Sequence, residues 1–484
     1  MSLSGALSNA LSGLTMTQRA ASVVSSNVAN ALNDGYGKRE LEVSTRGVGS
    51  YGGVRIDGVV RYMDDKLVSE WRAAGSALAY TETSATYQNR LESLMGTPED
   101  SSSLAARVAR FETSLISAAS RPDLPERLTA VLDAAKDMAG EMNDISDGIQ
   151  TIREEADAEI SATVDRTNVL LEQVHDLNGS IRRAINVGDD ANSLMDHRQA
   201  VIDELSQIMP VLQAGREDGA VALYTPGGAI LVDSSPAELG FSRTNTITPH
   251  LTRDNGFLSG LTINGQPVET DTFNDPIGGA RLASLFEIRD VFAVEAQANL
   301  DTVARDLIER FQDAGIDTTR AAGDPGLFTD NGLFFDPADE LGISARIAVN
   351  AIVDPAQGGE TWHLRDGLGA ATSGSASDAS LIFDMKAALE TRRTPTSAVF
   401  GTEGLSASGL ASSMMSIVSS DRNTADQAMT YANTRTAELK ERLLSDGVDT
   451  DEEMQRMLLI EQSYSANARL VQTIEEMLDI LMRI

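Results

Sequence analysis

The two ends of the chain carry the same hydrophobic period. Reading alternately four and three residues apart gives Leu3, Leu7, Ala10, Leu14, Thr17, Ala21, Val24, Val28 and Ala31 near the start. From Met457 the same alternation gives Ile460, Tyr464, Asn467, Val471, Ile474, Leu478 and Leu481. A seam repeating every seven residues belongs to helices that pack along a partner helix, rather than to a loose amphipathic face. Leu458, Leu470, Met477 and Ile484 widen the second stripe. Neither stripe can be buried by its own helix, so a terminal helical hairpin, set apart from the middle of the chain, is predicted.

The flanks of the first seam narrow the reading. Residues 2–33 hold one charged side chain, Arg19, and the other flanking positions are Ser, Asn, Thr, Gly and Gln. Ser, Asn and Gly are poor helix formers, so this segment is expected to be marginal as an isolated helix. Uncharged flanks make sense where they too are packed against neighbours. A core helix of a globular domain is the plainer alternative. Asn27, Asn30 and Asn33 then bring hydrogen-bonding groups without charge, and Asp34-Gly35-Tyr36-Gly37 reads as a turn out of the helix.

Composition bounds the rest. A chain of 484 residues is expected to divide into about two to four domains. The formal net charge of −33 argues against nucleic acid or an anionic membrane as partner. The absence of cysteine excludes disulfides and thiol chemistry. The opening MSLSGALSNALSGL lacks the basic and apolar regions of a cleaved secretion signal, so export would need a route that spares it.

Between the ends the period alternates between helix and strand. One helix is predicted over 62–95, stopped by Gly96 and Pro98, and the next is capped at Ser101 or Ser102. Residues 124–186 read as mostly helical with an interruption near NDISDG, followed by NSLMDHRQAVIDELSQIM. From 211 to 279 the period drops to two, with hairpins at Pro226-Gly227-Gly228 and Asn264-Gly265. Helix resumes at 280–315, a strand follows in SARIAVNAIV, and helices return at 381–392 and 406–445. The expected fold is mainly α with an inserted β domain. Its parts are a terminal assembly domain (1–34 with 450–484), an elongated helical domain (35–210 with 280–330 and 380–449), a small β domain (211–279) and a loop- and strand-containing segment (331–379).

Candidate chemistry is sparse. Gly47, Gly49 and Gly52 spell G-x-G-x-x-G, but a strand-like VRIDGVVR follows where a dinucleotide site needs a helix N-terminus. His175, His197, His250 and His363 are scattered, with none at ligand spacing to another. DPGLFTDNGLFFD lacks the ligand spacing of a calcium loop, and Glu154-Glu155 and Glu475-Glu476 read as solvated helix faces. No catalytic residue, cofactor or metal is assigned.

At this point the residues resemble a known family. LSGLTMTQRAASVVSSNVANALNDGYGKRE resembles the N-terminal signature of the flagellar rod, hook and hook-associated proteins, and EQSYSANARLVQTIEEMLDIL their C-terminal helix. GGVRIDGVVRYMDDKLVSEWRAAGSALAY and LNGSIRRAINVGDDANSLMDHRQAVIDELSQI are similar to inner segments of the hook-associated members. The sequence departs at the turn, where Asn33-Asp34 stand in place of the family's usual Thr-Pro and Gly37 in place of a frequent Ser. The resemblance implies a non-enzymatic adaptor between hook and filament, outside the cell, assembling as a ring at the distal hook. Its assembly residues would be Leu3, Leu7, Leu14, Val24, Asn27, Val28, Asn30, Ile460, Tyr464, Asn467, Val471, Ile474, Leu478 and Leu481. Its implied partners are copies of itself, hook protein, a second junction protein, flagellin-side axial proteins, and an export chaperone at the C-terminal helix. Another axial component is the near alternative. An exported wall hydrolase with a flagellar-type end is the distant one.

Overall fold

The structure, a computed structural model, describes residues 3–33, 35–45, 52–97, 100–270 and 277–483. It is mainly helical with small antiparallel sheets. Two compact units are woven from non-contiguous segments: 1–79, 166–238 and 431–484 form the first, and 80–165 and 239–430 the second.

The first unit opens with α1 (Leu3–Asn30), followed by β1 (Lys38–Thr45) and β2 (Val54–Tyr62), which pair antiparallel from Lys38↔Tyr62 to Thr45↔Val54. Helix α2 (Asp65–Met95) begins later than the sequence reading placed it, because residue 62 still belongs to β2. Asp64 sets the true start, its carboxylate accepting from the Lys66 and Leu67 N–H groups at 2.9 and 3.1 Å. The second unit adds α3 (Leu104–Ser120), whose cap is Ser103 rather than Ser101 or Ser102; its hydroxyl accepts from the Ala106 N–H.

Helix α4 (Pro125–Val187) runs unbroken through NDISDG. The interruption expected there is absent because its polar residues bond sideways instead of breaking the helix. Asn143 Nδ2 donates to the Ser344 carbonyl at 2.7 Å and the Ser146 hydroxyl to Gln297 Oε1 at 3.0 Å. Gly148 lets Leu94 approach so closely that a Cβ would stand 2.8 Å from it. Ile145 and Ile149 meanwhile join the second unit's core, which centres on the mutually tilted rings of Phe111, Phe311 and Phe328.

After α5 (Asn192–Ile208) the chain forms two separate three-stranded sheets. The first, β3 (Leu212–Gly215), β4 (Val221–Tyr224) and β5 (Ile230–Val232), turns at 225–229 and lies in the first unit. The second, β6 (Leu239–Gly240), β7 (Leu261–Ile263) and β8 (Gln266–Val268), turns at Asn264-Gly265 and lies in the second. Both hairpins stand where the turn residues placed them. The single β domain expected at 211–279 is instead divided between the units, because each sheet is bonded to a different stretch of helix.

Helix α6 (Arg281–Glu287) passes through a π turn at Ile288–Phe292 into α7 (Ala293–Gln312). Short strands β9 (Phe328–Asp330) and β10 (Ile347–Val349) pair among 3-10 turns, so SARIAVNAIV supplies only three strand residues. Helices α8 (His363–Asp366), α9 (Ser380–Glu390), α10 (Ala407–Ser445) and α11 (Thr450–Arg483) complete the chain. No helix among the described residues is long and apolar enough to cross a membrane.

Candidate assembly site at the paired termini

Helices α1 and α11 pack along each other as the predicted hairpin. Gly13 lies against Asn467, whereas Lys38 and Glu40, beyond the end of α1, reach Glu452 and Arg456 at the start of α11. The two helices therefore run antiparallel. Their closest approach is made by small residues: Ala10, Gly13 and Thr17 are buried, and a Cβ on Gly13 would stand 2.8 Å from the Asn467 amide. On α1, Leu3, Leu7, Leu14, Val28 and Asn30 are half-buried, and Val24 and Asn27 are buried. On α11, Ile474 is buried and Ile460, Asn467 and Val471 are half-buried. Tyr464, Leu478 and Leu481 are exposed, so the lower seam meets α1 only in part.

A second stripe on α11 faces away from α1. Leu459, Ala466, Leu470 and Met477 follow one another at spacings of seven, four and seven, and all are exposed, Leu459 by 62% and Leu470 by 54%. A heptad seam repeated on a second face of one helix is what a helix needs to pack against two partners at once.

The turn at the foot of α1 is fixed by side chains. Asp34 lies outside the described residues. Gly35 takes φ +82°, a conformation that favours glycine. Asn27, fully buried, donates from Nδ2 to the Arg39 carbonyl at 2.9 Å, while its Oδ1 accepts from the Arg39 N–H at 3.0 Å and the Tyr36 hydroxyl at 2.9 Å. Asn30 donates to the Ser26 carbonyl and accepts from the Asn33 amide. Gly37 is buried beside Arg61, whose side chain would collide with an added Cβ. These bonds supply the rigidity that a proline would otherwise give.

Asp196 of α5 completes the clasp. One carboxylate oxygen accepts from the Gly37 N–H at 3.2 Å and Arg61 Nε at 2.7 Å, and the other from Arg39 Nη2 at 2.9 Å. The Arg39 guanidinium also lies over the Tyr36 ring, 4.9 Å from its centre. Close by, buried Arg198 donates to Asn178 Oδ1 and the Gly219 carbonyl, and Asn178 exchanges two hydrogen bonds with the Val221 backbone. Sequence reasoning assigned none of Asp196, Arg198, Asn178, Arg39 or Arg61 to the site. The available signal was LNGSIRRAINVGDDANSLMDHRQ, whose Asn178, Asp196 and Arg198 prove to be the bonding residues.

The other candidates are occupied by structure. Gly47 and Gly49 lie outside the described residues, and Gly52 leads into β2, not a helix. Asp330 pairs with Arg346 at 2.8 Å, Glu154 accepts from the Ile247 N–H and Glu155 pairs with Arg90. His363 is buried, its ring stacked on Trp362. No group of His, Cys, Asp and Glu among the described residues could hold a metal ion.

Terminal helices paired along part of one seam, with a second apolar stripe in the open and clasped at their base to a folded body, form a surface suited to further helix packing. The family described as flagellar hook-associated protein FlgK helical domain matches residues 88–328, and that described as flagellar basal body rod FlgEFG protein C-terminal matches 441–484. Flagellar hook-associated protein 1 of Bacillus subtilis (strain 168) is 23% identical, over 98% of this chain and 96% of that one. The protein of the same name from Escherichia coli (strain K12) is 27% identical over 49% of this chain and 44% of its own. Among solved structures, the flagellar hook junction protein FlgK from Burkholderia pseudomallei is similar at a TM-score of 0.46 and 18% identity, over 55% of this chain and 47% of that one.

The chain belongs to the flagellar hook-associated protein FlgK family. It is a structural axial component of the bacterial flagellum, an extracellular structure, and assembles with other hook and filament components.

Proposed function

We propose that the protein is the adaptor that joins hook to filament, assembling through α1 and α11 as a ring at the distal hook. The observation that carries this reading is the open second seam on α11. Leu459, Leu470 and Met477 are spaced to meet another helix, and α1 already covers Ile460, Asn467, Val471 and Ile474 of the first seam. Neighbouring copies, hook protein below, and a second junction protein with flagellin-side axial proteins above are its partners. The same apolar stripe gives an export chaperone a surface to cover before assembly. The many Ser, Asn and Gly residues of α1 are poor helix formers, which supports passage through a narrow export channel before assembly. The terminal pair thus acts as the assembly domain, and the rest of the chain is the body it anchors. Deleting the gene and imaging the cells tests the role. Hooks that persist while unpolymerised flagellin collects in the medium support it. Normal filaments refute it, and missing hooks move the protein to an earlier step of assembly.

A further inference from the structure

The second unit contains a cavity of about 420 Å³ that the assembly reading does not use. It lies among α2, the junction of the π turn with α7, and α10. Its wall is apolar and aromatic. Tyr87 and Phe292 stack with ring centres 6.1 Å apart, beside Leu91, Ile417 and Val418. Tyr87 is only 4% exposed, yet its hydroxyl has no hydrogen-bond partner, and neither has the buried Oε1 of Gln88. A buried polar atom left unmatched costs free energy, and both atoms belong to residues that line the cavity, so a ligand seated there could supply the missing partners once these side chains turn toward it.

The charge of the lining chooses the ligand. Glu295 and Asp421 line the cavity, and no lysine, arginine or histidine does. Arg422, the next residue on α10, is held by Glu92 and Asp426, each at 3.1 Å. Glu287 is already taken, as acceptor of the Tyr80 hydroxyl. Burial, with the charges of Glu295 and Asp421, holds the Tyr87 phenol far above its ordinary range, so its hydroxyl stays neutral. Burial also raises the Asp421 carboxyl. Two carboxylates, two unmatched polar atoms and an aromatic wall do not suit a hard metal ion, which wants six or more oxygen ligands. They suit a cation with an apolar stem.

We propose that this cavity binds an organic cation, a protonated alkylamine or alkylguanidinium. The charged head is balanced by Glu295 and Asp421, its N–H groups answer Gln88 Oε1 and the Tyr87 hydroxyl, and the stem rests on Phe292 and Ile417. Such a head arrives either on a free small molecule or on a basic side chain of a neighbouring polypeptide.

Calorimetric titration of the full chain tests this with n-butylguanidinium, n-butylammonium, neutral n-butylurea and a blocked glycyl-arginyl-glycine peptide. Saturable binding of the two cations is expected, with n-butylurea at least about tenfold weaker. Asp421→Asn and Glu295→Gln sit at exposed positions and should leave unfolding unchanged while each weakens the cations about tenfold. Tyr87→Phe should also weaken them. If the peptide binds as well as n-butylguanidinium, the cation comes on a polypeptide; if only the free cations bind, it is a small molecule. No saturation by any cation below about 10 mM, equal binding of n-butylurea, or binding unchanged in the doubly neutralised variant overturns the proposal.

Discussion

Asp196 serves three groups with two oxygens, which makes it the most consequential single residue of the clasp. Replacing it with Ala leaves Arg39 and Arg61 without their carboxylate and frees the Gly37 N–H. Partly buried charge-assisted bonds of this kind are worth about 1.5–3 kcal/mol each and are not additive, so a loss of about 3 kcal/mol is expected. Urea unfolding should show it, with faster proteolysis at the turn following α1. A second residue gives a pH signature. Lys136, donating to Asp354 at 2.6 Å, holds that carboxyl below its ordinary value of 3.8 against the opposing effect of burial. A lowered carboxyl contributes stability that is fully present above the unfolded value and is lost as pH falls through the folded one. Asp354→Asn should therefore destabilise more at neutral pH than below pH 3.8, read as a gap between urea midpoints that closes on acidification. Neither residue was legible as functional. Asp196 and Arg39 are separated by 157 positions, and an aspartate on a polar helix face looks the same in sequence whether it is solvated or clasped.

At the scale of elements, what could be read was what repeats. The pairing of α1 with α11 and the glycine hairpins follow from local period and turn chemistry, although Tyr464, Leu478 and Leu481 of the α11 seam stand exposed. The π turn between α6 and α7 could not be read, because its cause lies in other elements. Arg289, wholly buried there, donates to Asp157 Oδ1 at 2.6 Å and to Asp290, while Arg153 Nε reaches back to the Arg289 carbonyl at 3.0 Å. Burial alone would lower the Arg289 guanidinium, but Asp290 and Asp157 outweigh it and hold it above its ordinary value. The split of the β region has the same origin: Thr244 N–H donates to Asp157 and the Phe241 ring packs edge-on against Phe286, so that strand segment is committed to the π turn. Arg289→Met strands a buried carboxylate at Asp157 and should cost about 3–5 kcal/mol in thermal or urea unfolding. The double change Arg289→Met with Asp157→Leu should recover part of that loss, because it removes the buried Asp157 carboxylate, while Asp290 and the Thr244 N–H still lose a partner.

At the scale of the whole molecule, charge and apolar surface are kept apart. Helix α1 carries one arginine, and α11 three arginines against seven carboxylates, so the terminal pair contributes only −3 to a net charge of −33. In the proposed assembly, copies approaching one another would be repelled mainly by their bodies and attracted through their ends. Two opposed dependences follow for the wild-type chain. Raising ionic strength from about 0.01 to about 0.5 M shortens the screening length from ~30 Å to less than 8 Å, so self-association should become tighter. Removing the open seam should act the other way. Leu459, Leu470 and Met477 make no use of α1, so changing all three to Gln should leave the unfolding midpoint of the monomer nearly unchanged. Burying a side chain of this size contributes about 1.5–3 kcal/mol, and losing three should weaken association by more than about a hundredfold even after the costs of docking are allowed for. Sedimentation velocity over a concentration series, at both ionic strengths, measures the two effects together. A variant that associates as tightly as the wild type at high salt would show that the second seam is not the assembling surface. A variant that stays monomeric with an intact midpoint would place assembly on that face of α11 and separate it from the stability of the fold.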